Sequence, residues 1–226
     1  MGCSSRLAWA ALLALMVPAC GSGQIEETAD AAASSTTTPV AATASGFRTE
    51  IFNSTDRLTD LIDWVLGRFE LAGIGRPDLV SVTFSPYPLC RDHLGSITNI
   101  GKSSHVHLCF DGGECETDDE RDECSAFARH ALLHELGHAW TNTYLNDDDR
   151  TEVLELRGLE HWSGPKVPYL ERGTEHAAEI LAWGLLEEST ATVRLPDRTC
   201  DTLAAAFRFL TGAEPLVDLT NCDPSP

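Results

Sequence analysis

Four segments of the chain have the apolar spacing or the residue composition of helices. The first begins after a serine or threonine cap near residue 55 and ends near Leu71, with apolar residues recurring every three or four positions. That stripe consists of Leu58, Leu61, Ile62, Val65, Leu66 and Phe69. We predict the other helices over residues 124–145, 173–188 and 199–210. The buried residues expected in the last one are Leu203, Ala206, Phe207 and Leu210.

Three shorter runs, rich in β-branched and aromatic residues or alternating in polarity, predict strands over residues 79–85, 96–100 and 105–110. His105 and His107 share one face of the third strand, so they are expected as exposed strand residues or as residues that line a cleft. Most helices follow the strands, and no internal repeat is visible. The predicted class is therefore α+β, a small mixed or antiparallel sheet on a helical layer.

The N-terminal part of the chain is typical of export. Residues 1–20 contain an apolar run over 7–17, too short to span a bilayer, and end at Cys20 in a sequence that resembles a bacterial lipobox. Residues 21–46 are mostly Ala, Ser, Thr and Gly and predict a flexible linker. Residues 47–226 then form one domain. The protein is expected outside the cytoplasm, lipid-anchored at Cys20, or secreted if cleavage occurs without lipidation.

Six cysteines lie in the predicted domain, and an even number in an exported domain indicates three disulfides. Spacing favours the pairs Cys115–Cys124, Cys200–Cys222 and Cys90–Cys109, although fifteen connectivities are open. A four-cysteine zinc site has little support, because the chain has no C-x-x-C pair.

The charge balance limits the partners. With 35 acidic and 16 basic residues the net charge is −19, and such a surface repels nucleic acid and anionic lipid. Much of the acid lies in residues 111–123, a predicted solvated loop, and the aspartates of 147–149 are interpreted as a loop that follows the second helix. Contact with a membrane is expected only through a lipid at Cys20.

The most informative motif is H-E-x-x-H in the second predicted helix, formed by His134, Glu135 and His138. Residues four apart lie on the same face of a helix, so both imidazoles can bind one metal ion. Glu135 lies beside the first histidine, where its carboxylate can take a proton from a water at that metal. The motif therefore predicts a zinc centre with Glu135 as general base.

A third ligand must come from another element. The three-histidine extension of the motif would need Gly and His where the chain has Thr141 and Tyr144. Glu175 and Glu179 lie one turn apart on the next predicted helix, and carboxylates on an otherwise apolar helix need a partner such as a metal. His161, in the loop between the helices, is the third candidate.

The two helical motifs resemble those of the gluzincins, thermolysin-like zinc peptidases with H-E-x-x-H on one helix and E-x-x-x-D on the next. The likeness covers about a fifth of the chain, with Glu179 where the family usually has aspartate. It implies a zincin-like single domain in which His134, His138 and Glu175 bind Zn²⁺ and Glu179 orients a histidine. It also implies that the strand over 105–110 is the edge along which an extended substrate pairs.

The function that follows is an exported metallopeptidase acting on a peptide or protein substrate. Glu135 would deprotonate the attacking water and later protonate the leaving amine. Candidate donors to the oxyanion are His161, Tyr169 and Arg172, between the two helices. Two alternatives remain: a non-catalytic zinc-containing surface lipoprotein that acts as a binding module, and a zinc hydrolase acting on a non-peptide amide. An intact Glu135 favours an enzyme, since a structural site needs no base.

The anchor predicts an outcome in cells. Replacing the proposed lipidation site, Cys20→Ser, should release the protein from membranes or mislocalise it, because no acyl chain can be attached to serine in this way. Peptidase activity should persist, since the H-E-x-x-H helix lies more than a hundred residues away. Fractionation of cells followed by immunoblotting measures the distribution, with Cys3→Ser as the matched control. Equal membrane partitioning of the Cys20→Ser variant and the parent would leave a plain secreted protein.

Overall fold

A computed structural model describes residues 38–39, 49–52, 54, 56–85, 95–109, 121–186 and 194–222, without the side chains of 38–39, 121–127 and 221. All of these belong to one compact unit, residues 35–226. The predicted signal segment, nearly all of the linker and most of the acidic loop lie outside the described residues. So do Cys20, Cys90 and Cys115 and the side chain of Cys124.

The described part contains five α-helices, four of them close to their predicted bounds. They are α1 (Asp56–Leu71), α2 (Arg121–Tyr144), α3 (Asp147–Arg157), α4 (Gly173–Leu185) and α5 (Cys200–Thr211). The apolar stripe predicted for α1 is buried apart from Leu61, which is partly buried against the core. The four residues predicted as the inner face of α5 are all buried. Hydrophobic periodicity thus placed these faces correctly.

Helix α3 corrects the prediction of a loop at residues 147–149. The side chain of Asn146 accepts hydrogen bonds from the backbone N–H groups of Asp148 and Asp149, and the Asp149 side chain accepts one from the Asn146 backbone. This reciprocal cap fixes the start of the helix. The three aspartates occupy the first turn, where negative charge is stabilised by the helix dipole. A run of acidic residues here begins a helix instead of ending one.

The strands form one mixed sheet in the order β1–β2–β3–β5–β4. Their bounds are Thr38–Pro39, Glu50–Phe52, Leu79–Ser85, Gly95–Ile100 and Ser103–Cys109 for β1 to β5. Strands β2, β3 and β5 are parallel neighbours, whereas β1 and β4 pair antiparallel at the two ends. The fold class α+β is confirmed. The two residues of β1 fall within the predicted linker and pair with β2.

The edge of the sheet differs from the expectation. Strand β5, predicted over 105–110 as the edge, lies between β3 and β4, and β4 is the terminal strand of the described sheet. The reason is the tight turn at Gly101, whose φ of 64° lets the chain fold back so that β4 covers the free side of β5 along its length. Among the described strands, the edge on this side of the sheet is therefore β4.

The two faces of the sheet are different. Val82, Val106 and Leu108 are buried in the core, with α2 against β5 and β4. On the other face His105 Nδ1 lies 2.8 Å from Ser81 Oγ, and His107 Nε2 lies 2.7 Å from a serine hydroxyl of β3. The two strand histidines are thus half-buried, hydrogen-bonded to β3, and not part of the cleft described below.

Cross-links and hydropathy give two further results. The predicted disulfide Cys200–Cys222 is confirmed and ties the start of α5 to the turn after Leu219–Asn221. Cys109 is also disulfide-bonded, to a side chain outside the described residues. The pairs Cys90–Cys109 and Cys115–Cys124 stay predictions. Among the described helices, none is both long and apolar enough to cross a membrane.

Helix α5 packs against α4 through a glycine, which gives a test of the fold. A Cβ added at Gly184 would overlap the ring of Phe207, which is fully buried. We expect Gly184→Ala to lower the free energy of unfolding by about 1–3 kcal/mol, the usual cost of overpacking a core. Gly67→Ala in α1 is the control, since nothing lies within 4 Å of that Cβ. It should raise stability by about 0.5–1 kcal/mol by favouring the helix. Urea unfolding measures both, and equal effects of the two variants would contradict the packing.

Candidate metal centre

The centre is formed where α2 and α4 approach closely. A Cβ at Gly137, within the H-E-x-x-H motif, would lie 3.1 Å from the Ala178 Cα atom and 3.2 Å from the Ala178 carbonyl oxygen. The two backbones can therefore come together only because position 137 has no side chain and position 178 has a small one.

Three side chains converge at this crossing. His134 Nε2 and His138 Nε2 lie 3.1 Å apart, and Glu175 Oε2 lies 3.3 Å from the first and 3.2 Å from the second. Ligands bound at the usual zinc distances in a tetrahedral arrangement lie about 3.3 Å from one another. Two imidazole nitrogens and a carboxylate oxygen with this spacing form a group that could hold a metal ion. The donor set fits the implied metal.

A further carboxylate continues the pattern along the two helices. Glu179 Oε2 lies 3.0 Å from His130 Nε2, in an ion-pair contact whose geometry does not meet the criteria for a hydrogen bond. Glu179 Oε1 lies 3.8 Å from His134 Nδ1. The latter distance is longer than a hydrogen bond. Each glutamate of α4 therefore lies between two histidines of α2: Glu179 between His130 and His134, Glu175 between His134 and His138.

The second metal-facing histidine has its own support. His138 Nδ1 lies 3.0 Å from the Thr174 hydroxyl, at the first turn of α4. If Nδ1 donates to this oxygen, the other ring nitrogen carries a lone pair directed at the cluster, the form in which a histidine binds metal. Thr174 thus holds the orientation of His138, and the tautomer that suits a metal is the one in which Nδ1 donates to it.

Both glutamates are charged in this environment. Burial raises the pKa of Glu175, but hydrogen bonds from His134 and His138 outweigh burial and hold that pKa well below its ordinary value. Burial likewise opposes ionisation of Glu179, whose side chain is 2% exposed, and the neighbouring His130 lowers its pKa below the ordinary value. Two anions beside three imidazoles create a region that attracts a divalent cation.

Glu135 faces the same cleft as the cluster, half-buried, with the first residue of β4 against it. A Cβ at Gly95 would lie 2.6 Å from Glu135 Cδ and 2.8 Å from Glu135 Oε1. A side chain at residue 95 would displace the Glu135 carboxylate from this position, so a glycine here leaves room for the predicted base beside the edge strand.

The predicted oxyanion donors have different positions. The Tyr169 hydroxyl lies 3.5 Å from both His134 Nε2 and Glu179 Oε1, beside the cluster. Burial raises the pKa of Tyr169, and the carboxylates of Glu179 and Glu175 raise it further, so the phenol keeps its proton. Arg172 lines the cleft, with Nη1 3.8 Å from Glu175 Oε1. Both can act as donors near the cluster.

His161 is not brought to the cluster. It is exposed, forms an isolated backbone bridge with Arg172, and is absent from the residues that line the cleft. Of the three candidate third ligands, the described structure brings Glu175 into the group and leaves Glu179 beside it, next to His134 and His130.

Several residues at the site were missed by the sequence analysis. His130 had a signal, since it precedes His134 by the same four residues that separate His134 from His138. Gly95, Thr174 and Arg194 had none, because a glycine at the start of a strand, a threonine in a first turn and an arginine in a connecting segment are common in any fold. Their roles depend on which elements meet.

The cluster opens into a cleft of about 710 Å³ between β4 and the loop that precedes α4. This volume is within the range of small-molecule and peptide sites. Its lining includes Gly95, Ser96, Ile97 and Asn99 of β4, so the edge strand forms one wall of the cleft.

Comparison with known proteins gives no relative. No model of a protein family, no curated protein and no solved structure matches the chain. Membership of the gluzincins therefore stays a prediction from two motifs, and function must follow from the chemistry of the site.

The ligand set can be tested by metal content. Glu175→Ala should lose most of the bound metal, because two imidazoles alone form an incomplete site. His161→Ala is the control and should keep it, since that side chain is exposed and outside the cleft. Elemental analysis after dialysis, together with a zinc-binding titration, gives the stoichiometry, with about one ion per chain expected for the parent. Full metal in Glu175→Ala with loss in His161→Ala would contradict the assignment.

Proposed function

We propose that the chain is an exported, zinc-dependent metallopeptidase that hydrolyses peptide bonds. The observation that carries the proposal is the convergence of His134, His138 and Glu175, at distances that suit one tetrahedral ion, with Glu135 on the same cleft. Two histidines and one glutamate are a ligand set found in catalytic zinc sites, which keep a position for water. The choice of zinc rests on this ligand set together with the H-E-x-x-H motif.

The chain's own residues supply the remaining steps. Zinc bound here would make a water acidic and polarise a carbonyl group. Glu135 takes the proton of the attacking water and passes it to the departing amine nitrogen as the C–N bond breaks. The Tyr169 hydroxyl, kept protonated by burial and by Glu179 and Glu175, donates to the carbonyl oxygen as negative charge develops there.

Strand β4 supports a peptide as the substrate. It has β5 as its only neighbour among the described strands, and it lines the cleft beside Glu135. An extended peptide can add to such an edge through backbone hydrogen bonds and so present its own amide to the cluster. A small amide would gain nothing from this edge, which favours a peptidase over a hydrolase of non-peptide amides.

The proposal that the protein is exported and anchored rests on its N-terminal sequence and on a disulfide. The apolar run before Cys20 and the disulfide between Cys200 and Cys222 both suit an oxidising compartment outside the cytoplasm. A lipid at Cys20 would hold the enzyme at the cell envelope.

Glu135→Gln separates the enzyme from a non-catalytic binding protein with the same metal. The amide keeps the size of the side chain and cannot act as a base, so cleavage of a mixed fluorogenic peptide library should fall about 100-fold or more. Metal content should stay unchanged, because Glu135 is not a member of the ligand group. Glu152→Gln, the same change at an exposed position of α3, is the matched control. Unchanged cleavage in Glu135→Gln, or no metal-dependent cleavage by the parent, would contradict the proposal.

A further inference from the structure

The charge of the cleft is unlike that of the chain. The whole protein has a net charge of −19, yet its cleft is lined by three arginines, Arg150, Arg172 and Arg194. Among the described residues of the lining, the acidic ones are Glu135, Glu175 and Glu179, and none is aspartate or lysine. The described lining thus has as many basic as acidic side chains, whereas the whole chain has 35 acidic and 16 basic residues.

Each acidic residue of the cleft has a use within the site. Glu175 contacts both metal-facing histidines, Glu179 contacts His130 and lies near His134, and Glu135 is the proposed base. A divalent ion at the cluster would add two positive charges. The positive charges of the described lining would then exceed its negative charges by two, and the proposed chemistry requires neither Arg150 nor Arg194.

The arginines lie beside different residues of the cleft. Arg194 lines the cleft and acts electrostatically on Glu179 and Tyr169. Arg150 lies over the ring of Trp162, with its guanidinium carbon 5.7 Å from the ring centroid. That ring lies against Gly173, which begins α4 next to the residue that contacts His138. A peptide bound in the cleft would thus have more than one guanidinium group within the same lining.

These guanidinium groups are accessible. Arg194 is exposed, and the side chains of Arg150 and Arg172 are 26% and 29% exposed. The ion pair of Arg150 is with Asp147, which is 96% exposed, and such surface pairs are weak. Arg172 donates from Nε to the Val167 carbonyl at 2.7 Å, which fixes its plane at the cleft wall. A planar guanidinium held in this way suits a carboxylate.

We propose that the cleft selects peptides with a carboxylate close to the scissile bond, either an acidic side chain or the free C-terminus. The inference rests on the proposed function and names its substrate class. Recognition must act at short range, because the surface charge of the protein repels anions at long range. At physiological salt, solution ions largely screen that repulsion beyond about 8 Å, whereas contacts inside the cleft are screened less.

The test uses matched fluorogenic peptides with the metal-loaded protein. One series carries Glu, Gln or Lys at each position flanking the cleaved bond, and a second carries a free or an amidated C-terminus. We expect kcat/KM at least about tenfold higher for the carboxylate peptides, the contribution of one charge-assisted hydrogen bond. A preference that follows the side chain identifies an acidic residue, and one lost on amidation identifies the terminus. Equal cleavage of the Glu, Gln and Lys peptides and of the free and amidated pair would overturn the inference while leaving the peptidase intact.

Arginine variants locate the selectivity. Arg194→Gln and Arg150→Gln should each reduce the preference for carboxylate peptides about tenfold, with a smaller effect on the neutral peptides. Arg208→Gln is the matched control, since Arg208 pairs with Glu214 on the surface of α5 and is absent from the cleft. An unchanged preference in both cleft variants would overturn the assignment to these residues.

A binding measurement separates this inference from the proposed function. The metal-loaded Glu135→Gln variant is titrated with the same Glu and Gln peptides, and with the free and amidated pair, and fluorescence anisotropy gives Kd. Tighter binding of the carboxylate peptides supports the inference even where no peptide is cleaved by the parent, an outcome that contradicts the peptidase alone. Equal Kd values for both pairs contradict carboxylate selection, whatever the activity.

Discussion

The close crossing of α2 and α4 is the constraint on which the site depends. Gly137 and Ala178 let the two backbones approach to the point where side chains of both helices share one metal-sized space. A Cβ at position 137 would require the neighbouring backbone to move by a few tenths of an ångström, about as much as metal–ligand distances tolerate. Helix packing usually matters for stability, and here it also determines whether His134, His138 and Glu175 lie close enough to share one metal ion.

The spacing on the two helices explains why the charges are paired. The histidines of α2 occur at 130, 134 and 138, and the glutamates of α4 at 175 and 179, so both sets advance by one helical turn. When such helices lie side by side, imidazoles and carboxylates alternate. Helix α4 is otherwise almost entirely buried and apolar, and an isolated carboxylate there would be costly. The histidines make Glu179 tolerable in the core, and Glu179 in turn holds negative charge beside His134.

The described sheet supplies one wall of the cleft and no member of the candidate ligand group. Its terminal strand β4 passes the H-E-x-x-H helix at Gly95 and forms the wall of the cleft opposite the loop that carries Tyr169 and Arg172. Edge strands are normally protected against association. Here the edge faces the cleft that contains Glu135, the group of His134, His138 and Glu175, and the arginines. An extended chain paired with this edge would lie beside the residues proposed for catalysis.

Spacing favoured the pair Cys200–Cys222 among fifteen open connectivities, and the structure confirms it. The sequence by itself determined the local features: the helical faces, the strand over Leu79–Ser85 and the metal motif. These depend on periodicity and short spacing, which a single sequence displays directly. It also narrowed the predicted third ligand to three residues. Glu175 and Glu179 are acidic residues on an apolar helix and therefore require a partner, and His161 lies in the preceding loop. Helix α3 was missed although its cap at Asn146 was visible, since a run of aspartates is equally common in loops.

Only the tertiary structure decided the rest. It brought Glu175 and not His161 to the histidines, placed β4 and not β5 at the edge, and turned His105 and His107 toward the serines of β3. It also gathered Gly95, Thr174 and Arg194, from three separate parts of the chain, around one cleft. Such contacts depend on strand order and helix crossing, which long-range packing fixes and no local pattern of residues encodes.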